Sequence, residues 1–465
     1  MRVRWFLFAP LAVLLTAVVS TAQPPPQPKD GKLVIPFPAD ATLAPVPALK
    51  YQLLPDVREV QPGNQIPAFY KTTMDQNAFY YSKQSIDQRE AWLVAPLADL
   101  AREKDLVGYG GSGLKQADYA ARLETVDWQI LNQMRSEGVY LLLPDLQPLR
   151  QLASALKVRM RGEVARGEFP AAIHTAQTLF ALARAHNEHP TLIGSLVGLA
   201  ITNIALGAVE EMLQQPGAPN LFWALTDLPT PFIDLRKGML GERVWLPREY
   251  DVLRTAVPVP EAQLKKLADQ LDPILQLAAE DRAKKRKTWD SLGKQAADPS
   301  AVKAAAERLA RAGHKPADLE KLSPVQAVMM ADFHQYQVDR DDVAKWVNVP
   351  YSQLPESSLT EKGPPGVFGE FAPSGRKVLQ AKVRIQQRIE LLKVLEGIRA
   401  HAAANGGQVP ASLDAVMLPL PVDPVTGKPF GYEVKDSLAV LRAIPPDHLK
   451  EDVNFNRVYE VSIRK

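Results

Sequence analysis

The sequence predicts a mainly α fold: a bundle of helical hairpins followed by a small C-terminal α+β domain, a long helix with an antiparallel hairpin or a three-stranded sheet. Three observations predict it. Between Ala68 and Trp346, apolar residues recur three and four apart, the spacing that places them on one helix face. From Arg376 to Ala404 the same spacing (Val378, Ile385, Ile389, Leu392, Ile398) runs on until Asn405-Gly406-Gly407 stops it. Beyond that turn, Phe430–Val434, Leu438–Ile444 and Arg457–Ile463 alternate apolar and polar residues, the period of a strand.

Taken in order, the chain opens with the charged Met1-Arg2-Val3-Arg4, an uncharged apolar stretch from Trp5 to Val19, and the small residues Ser20-Thr21-Ala22. That order is a secretory signal peptide over residues 1–22, so a periplasmic or secreted location is expected. Left uncleaved, the stretch would be a membrane anchor; it lies near the lower length limit of a spanning helix and contains Pro10. Eleven prolines between Pro24 and Pro67 then predict a proline-rich extended tether over 23–67. Proline fixes φ and lacks an N–H, so neither helix nor central strand is expected there, and docking is expected only near Tyr51-Gln52-Leu53-Leu54.

The helical body is expected over 68–349. Ala68–Lys104 is rich in aromatics, and Gly108-Tyr109-Gly110-Gly111-Ser112-Gly113 breaks the chain as a flexible turn. Leu123, Val126, Ile130 and Met134 predict a helix ended by Gly138, and Asp145 is placed to cap the next, whose stripe is Leu149, Leu152, Leu156, Met160 and Val164. Thr191–Val209 is charge-free and carries Gly194 and Gly198 at small-xxx-small spacing. It reads as a helix surrounded by others in a bundle, the alternative being a membrane helix; Ser195, Thr202, Asn203 and Gly207 favour the bundle. Pro273 is expected to kink its helix, and Asp298-Pro299 and Ser323-Pro324 each pair an N-cap residue with proline at the first helical position. A linker over 350–373 precedes the tail, 374–465.

Composition narrows the chemistry. The chain has no cysteine, which excludes disulfides, thiolate metal sites, a cysteine nucleophile and lipoprotein acylation. Its apolar content of 46% suits a globular core, and its net charge of +3 is too balanced for a nucleic-acid partner. His186 and His189, three apart at a helix end, are the only metal candidates. Ser112-Gly113-Leu114-Lys115 matches the S-x-x-K of penicillin-recognising acyltransferases but has no S-D-N or K-T-G companion. The glycine run also fails as a phosphate loop, because Leu114 stands where the lysine belongs. Arg282–Lys287 is a basic run for which a solvated helix face is expected, contact with acidic lipid or envelope polymer being the alternative. Asp339-Arg340-Asp341-Asp342 reads as surface charge pairs. Asp423-Pro424-Val425-Thr426-Gly427-Lys428-Pro429-Phe430 is dense in turn formers and is expected to fix the entry to the hairpin.

Three resemblances add to this. Arg166-Gly167-Glu168-Phe169-Pro170-Ala171-Ala172-Ile173, between two amphipathic helices, resembles the turn of a tetratricopeptide-type hairpin, though no period of about 34 residues accompanies it. The tail resembles the exported head of type II secretion pseudopilins in its long helix, glycine turn, Val409-Pro410-Ala411-Ser412-Leu413, Asp-Pro turn and small sheet. Some 350 residues separate it from any N-terminal membrane helix, so filament assembly is not implied. Four segments resemble a family of large, uncharacterised exported bacterial proteins: Pro47–Pro55, Gln61-Pro62-Gly63-Asn64, Gln214-Gln215-Pro216-Gly217-Ala218-Pro219-Asn220 and Asp423–Phe430. That resemblance implies export and architecture, and no activity.

The leading functional expectation is an exported, non-catalytic helical scaffold or binding protein of the cell envelope, partnered by a protein or an envelope component. Membrane contact is expected only through an uncleaved N-terminal helix or the basic run 282–287. The alternatives are a component of a pilus or type II secretion-like apparatus, and an envelope hydrolase using Ser112 and Lys115 or the His186/His189 pair. No catalytic or cofactor-binding residue and no cofactor is assigned.

Overall fold

The computed structural model describes residues 28–464 except 30, 75–76, 145, 245, 279–286, 356–357, 359–365 and 372–373. The expected signal peptide, the Asp145 cap, the basic run up to Arg286 and Gly363-Pro364-Pro365 lie outside the described residues. The helices include α1 (Gln65–Met74), α2 (Gly111–Ala120), α3 (Leu146–Ala165), α4 (Phe169–Ala185), α5 (Leu192–Leu213), α6 (Glu261–Ala278), α7 (Thr288–Ala296), α8 (Pro299–Arg311), α9 (Pro324–Trp346) and α10 (Gly375–Ala404).

Helix α5 is the charge-free run, and it sits where such a run belongs. Thr191 caps it by accepting from the Gly194 N–H (3.1 Å), and α3, α4 and α10 pack around it. By length and composition alone it could cross a membrane, yet 72% of its most apolar window is buried within the fold. Its polar residues bond inward: the Ser195 and Thr202 hydroxyls donate to the carbonyls of Thr191 and Gly198 four residues back. A methyl at Gly198 would press on His186 and the Ala183 carbonyl, so glycine there sets the close approach of α4. Helices α3 and α4 form an antiparallel hairpin whose turn places Gly167 at φ +73°.

A five-stranded sheet, in the order β1 (Pro28–Lys29), β2 (Lys32–Asp40), β7 (Arg457–Arg464), β6 (Leu438–Arg442), β5 (Gly431–Lys435), covers α10. Asp436 and Ser437, at φ +48° and +75°, make the β5–β6 turn. The sheet exceeds the expected hairpin or three strands because the expected tether over 23–67 contributes β1 and β2. Residues 33–40 pair in parallel with 457–464. Proline is tolerated there for a geometric reason. The Leu33 N–H donates toward β7, to Asn456 (2.9 Å), so Ile35, Phe37 and Ala39 face β7 as well. Pro36 and Pro38 fall on the opposite edge, where a missing N–H leaves no ladder bond unmade and offers an incoming strand nothing to pair with.

Two further expectations change. Residues 123–134 are not one helix: Leu123–Thr125 (β4) pairs in parallel with Gln61–Asn64 (β3), and a short helix follows at Leu131–Glu137. The break at 108–113 is only half a turn, since Gly111 already begins α2.

The described body contains two large apolar cores. The first joins α1–α5 to α10 and the sheet, so the tail is built into the body and does not follow it as a unit of its own. The second gathers Leu264, Leu271, Leu292, Leu309, Met329 and Phe333 from α6–α9. The expected linker is anchored in both. Tyr351 packs on the first, while Phe368 is fully buried in the second between Phe333 (5.2 Å) and Tyr250 (5.9 Å).

Candidate functional site

Where the segment 128–146 crosses the open end of α4 and α5 it leaves a cleft of about 280 Å³. Three rings from separate segments form one side: Tyr70 from α1, Trp128, and His189 from the α4–α5 connection. Ile130, Leu141, Leu142, Leu143 and Leu146 supply apolar wall, and Gln133 and Glu137 stand at the rim on the helix Leu131–Glu137. Among the described lining residues Glu137 is the one carboxylate, and none is a lysine or arginine.

The rings are held in place. The Trp128 indole N–H donates to the Ala185 carbonyl (3.0 Å). Tyr70 meets Trp128 edge-on at 6.4 Å and 71°, and His189 meets it at 4.3 Å and 67°. The near wall is tethered to the second core, because the Tyr140 hydroxyl donates to the Gln270 carbonyl of α6 (2.8 Å). Leu142, one of the lining residues, is 51% exposed.

Both candidate metal-ligating histidines lie at this end, and they do not form a metal pair. The His189 Nδ1 accepts from the Thr191 N–H (3.2 Å) and lies 2.9 Å from its hydroxyl, so its one lone pair is taken and the proton sits on Nε2. The His186 Nδ1 donates to the Leu182 carbonyl (2.9 Å), leaving a fully buried Nε2 beside Trp128. Burial drives both rings to the neutral form, His186 to a pKa of about 4 and His189 to about 3. Among the described residues no group of three or more candidate ligands exists. Ser112 and Lys115 are both exposed on the first turn of α2, and neither lines the cleft.

A second polar constellation lies in the first core and explains two motifs seen in the sequence. Arg399 of α10 is fully buried against Glu396 (2.6 Å). Its guanidinium donates to the carbonyls of Asp40 (3.0 Å) and Ala218 (2.8 Å), tying the end of β2 to the Gln214–Asn220 turn. Asn220 completes the knot through the carbonyls of Thr42 and Glu396, and Glu396 accepts from the Leu221 N–H. Deeper along α10, Arg388 donates to Glu210 (2.9 Å), which also accepts from the Tyr459 hydroxyl (3.1 Å). Burial alone would raise the Glu210 carboxyl; Arg388 and Arg457 outweigh it and hold it below the ordinary range. The Asp423–Phe430 turn docks the same helix. Asp423 is buried and accepts from the Gln387 amide (3.0 Å) and the Val425 N–H (2.9 Å). These groups are enclosed by protein, so their chemistry is that of a rivet.

Glu242 sits at the seam between the cores. It accepts from the Leu192 N–H (3.2 Å) at the start of α5, with Arg340 and Tyr336 of α9 beside it. Burial pushes its carboxyl up to about 7, against the pull of Leu192 and Arg340.

In comparisons with known proteins, no family model matches the chain, and no curated protein or solved structure matches it. Sequence reasoning reached His189 of the cleft but missed Tyr70, Trp128 and Glu137. Tyr70 was one of many aromatics between Ala68 and Lys104, and Trp128 fell inside an expected helix. Nothing local marks residues that converge only through the tertiary fold.

Proposed function

We propose that this protein is an exported, non-catalytic binding protein of the cell envelope, and that the cleft at Trp128 is where it binds. The observation that carries the reading is the cleft itself: a preformed, mostly apolar concavity with rigidly held rings and few polar groups, the character of a recognition site. The candidate catalytic pairs add nothing to it, since Ser112 and Lys115 are on an exposed helix turn and the histidines have committed their Nδ1 atoms. Export rests on the signal-like order of residues 1–22. The α3–α4 hairpin supports a tetratricopeptide-type reading of the body, and the helix-then-sheet order of the tail supports its likeness to pseudopilin heads. Fractionation of producing cells, with mass spectrometry of the mature N-terminus, tests the envelope assignment. An envelope species beginning near Gln23 is expected; a cytoplasmic species retaining Met1 overturns it.

A further inference from the structure

We infer that the free edge of β5 is a contact through which two copies of this chain pair, antiparallel and about a two-fold axis at Val434. The two sides of the sheet are built differently. Along the edge of β2, Pro36 and Pro38 withhold the N–H groups that an incoming strand would use. Strand β5 has no proline, and it ends the sheet on the other side, with no strand beyond it among the described residues. Its register with β6 decides which of its backbone groups face outward. Asp436 and Ser437 form a two-residue turn with both φ positive, so Lys435 and Leu438, the pair that closes it, exchange hydrogen bonds. Bonding alternates from there. Glu433 and Gly431 also bond to β6, while the N–H and C=O of Tyr432 and Val434 point away from it. Neither of those N–H groups donates to another backbone carbonyl among the described residues. Val434 is 41% exposed, so the edge beside the turn is open to a partner.

Charge fixes the register and the partner. Glu433 and Lys435 lie opposite Val440 and Leu438, on the sheet face turned from the first core. The Glu433 carboxylate is 3.1 Å from Lys435 and 3.2 Å from Arg442. A two-fold axis at Glu433 would set this carboxylate against its own copy, which like-charge repulsion opposes. An axis at Tyr432 would set Glu433 against Gly431 and carry the pairing on to Phe430, which is buried. An axis at Val434 sets Glu433 of each copy opposite Lys435 of the other. Val434 then meets Val434 between the two ion pairs and exchanges both of its outward hydrogen bonds with it. The strand is complementary to itself, so a second copy is the partner it fits. The turn at Asp436 ends the pairing after Lys435, which makes the contact small and the dimer weak and reversible.

Sedimentation equilibrium of the full chain, from about 5 to 500 µM, tests this. A monomer–dimer equilibrium is expected, with Kd on the order of 100 µM, weakening as salt is raised. Lys435→Glu and Glu433→Lys each set like charges across the axis, and each is expected to weaken the dimer about tenfold. Mixed one-to-one, these two variants bring opposite charges together again and are expected to form a mixed dimer of about wild-type strength. Val434→Pro removes the outward N–H without touching a bond to β6, and is expected to leave a monomer. Circular dichroism verifies the fold of all three variants. A wild-type chain that stays monomeric throughout overturns the proposal. So does a dimer that persists in the charge variants or in Val434→Pro, and so does a mixture of folded charge variants that fails to associate.

Discussion

The two cores of this protein solve the same problem with opposite use of charge. Around α10, ion pairs are buried, and the hydrogen-bond networks they anchor link residues far apart in sequence, whether the pair itself is distant or only three residues apart. Glu210–Arg388 bridges 178 positions, and the exposed fractions of the Glu396 and Arg399 side chains are both zero. Around α6–α9, the pairs Lys265–Asp269, Arg254–Asp251 and Lys345–Asp342 are local and face water. A local pair in water decides almost nothing, because solvent screens it and side-chain entropy opposes it. A buried, long-range pair is weak evidence for stability, yet breaking it strands a charge in the interior. The first core therefore depends on correct distant pairing, and the second mainly on apolar packing between neighbours along the chain.

Four substitutions probe this contrast. The largest effect is expected for Arg399→Ala, which leaves Glu396 buried without its partner and unties β2 from the Gln214–Asn220 turn. A loss of about 3–5 kcal/mol in urea unfolding is expected. Hydrogen exchange should localise it to α10 and the sheet; an equal loss of protection in α6–α9 would erase the distinction between the cores. Next is Glu242→Gln at the seam. A carboxyl whose folded pKa is raised to about 7 makes the folded protein the better proton binder between its unfolded value and that pH. Wild-type stability should then fall as pH rises from about 4.5 to 7 and level off above, costing about 3 kcal/mol. The glutamine variant should match wild type near pH 4.5 and exceed it at pH 8, read by thermal melts at both values; identical pH profiles would remove Glu242 as the cause.

Smaller effects belong to the second core. Ser323→Ala deletes the cap that accepts from the Gln326 N–H (3.3 Å) at the start of α9, and about 1 kcal/mol is expected in urea. Lys265→Ala should cost less than about 0.5 kcal/mol by the same measurement, and a loss above about 2 would show that exposed pairs here matter as much as buried ones.

Much of this was legible where local rules govern. The end of α10 at Asn405-Gly406-Gly407, the caps at Asp298 and Ser323 and the three strands after Phe430 follow from short-range geometry, and all are observed. Three of the misreadings share one cause, which is that a distant partner overrode a local signal. Prolines argued against a strand at 32–40, but β7 asked for N–H groups only from alternate residues. Helical spacing argued for a helix at 123–134, but β3 captured Leu123–Thr125. A boundary at 350–373 seemed natural from its prolines, but Phe368 found an aromatic slot and α10 found the first core. At the cleft, His189 was visible as one of a pair, while its role depended on Trp128 and Thr191 lying beside it.

The pairing of β2 with β7 has a consequence in time. Asp40 and Arg464 are 424 positions apart and meet at 2.6 Å. At translation rates of about 5–20 residues per second, the first of these strands waits on the order of 20–90 s for the second to be made. During that interval its apolar face, with Ile35 and Phe37, has no finished sheet to join. Closure of the sheet thus registers that synthesis has reached residues 457–464, and a chain cut short before them cannot counterfeit it.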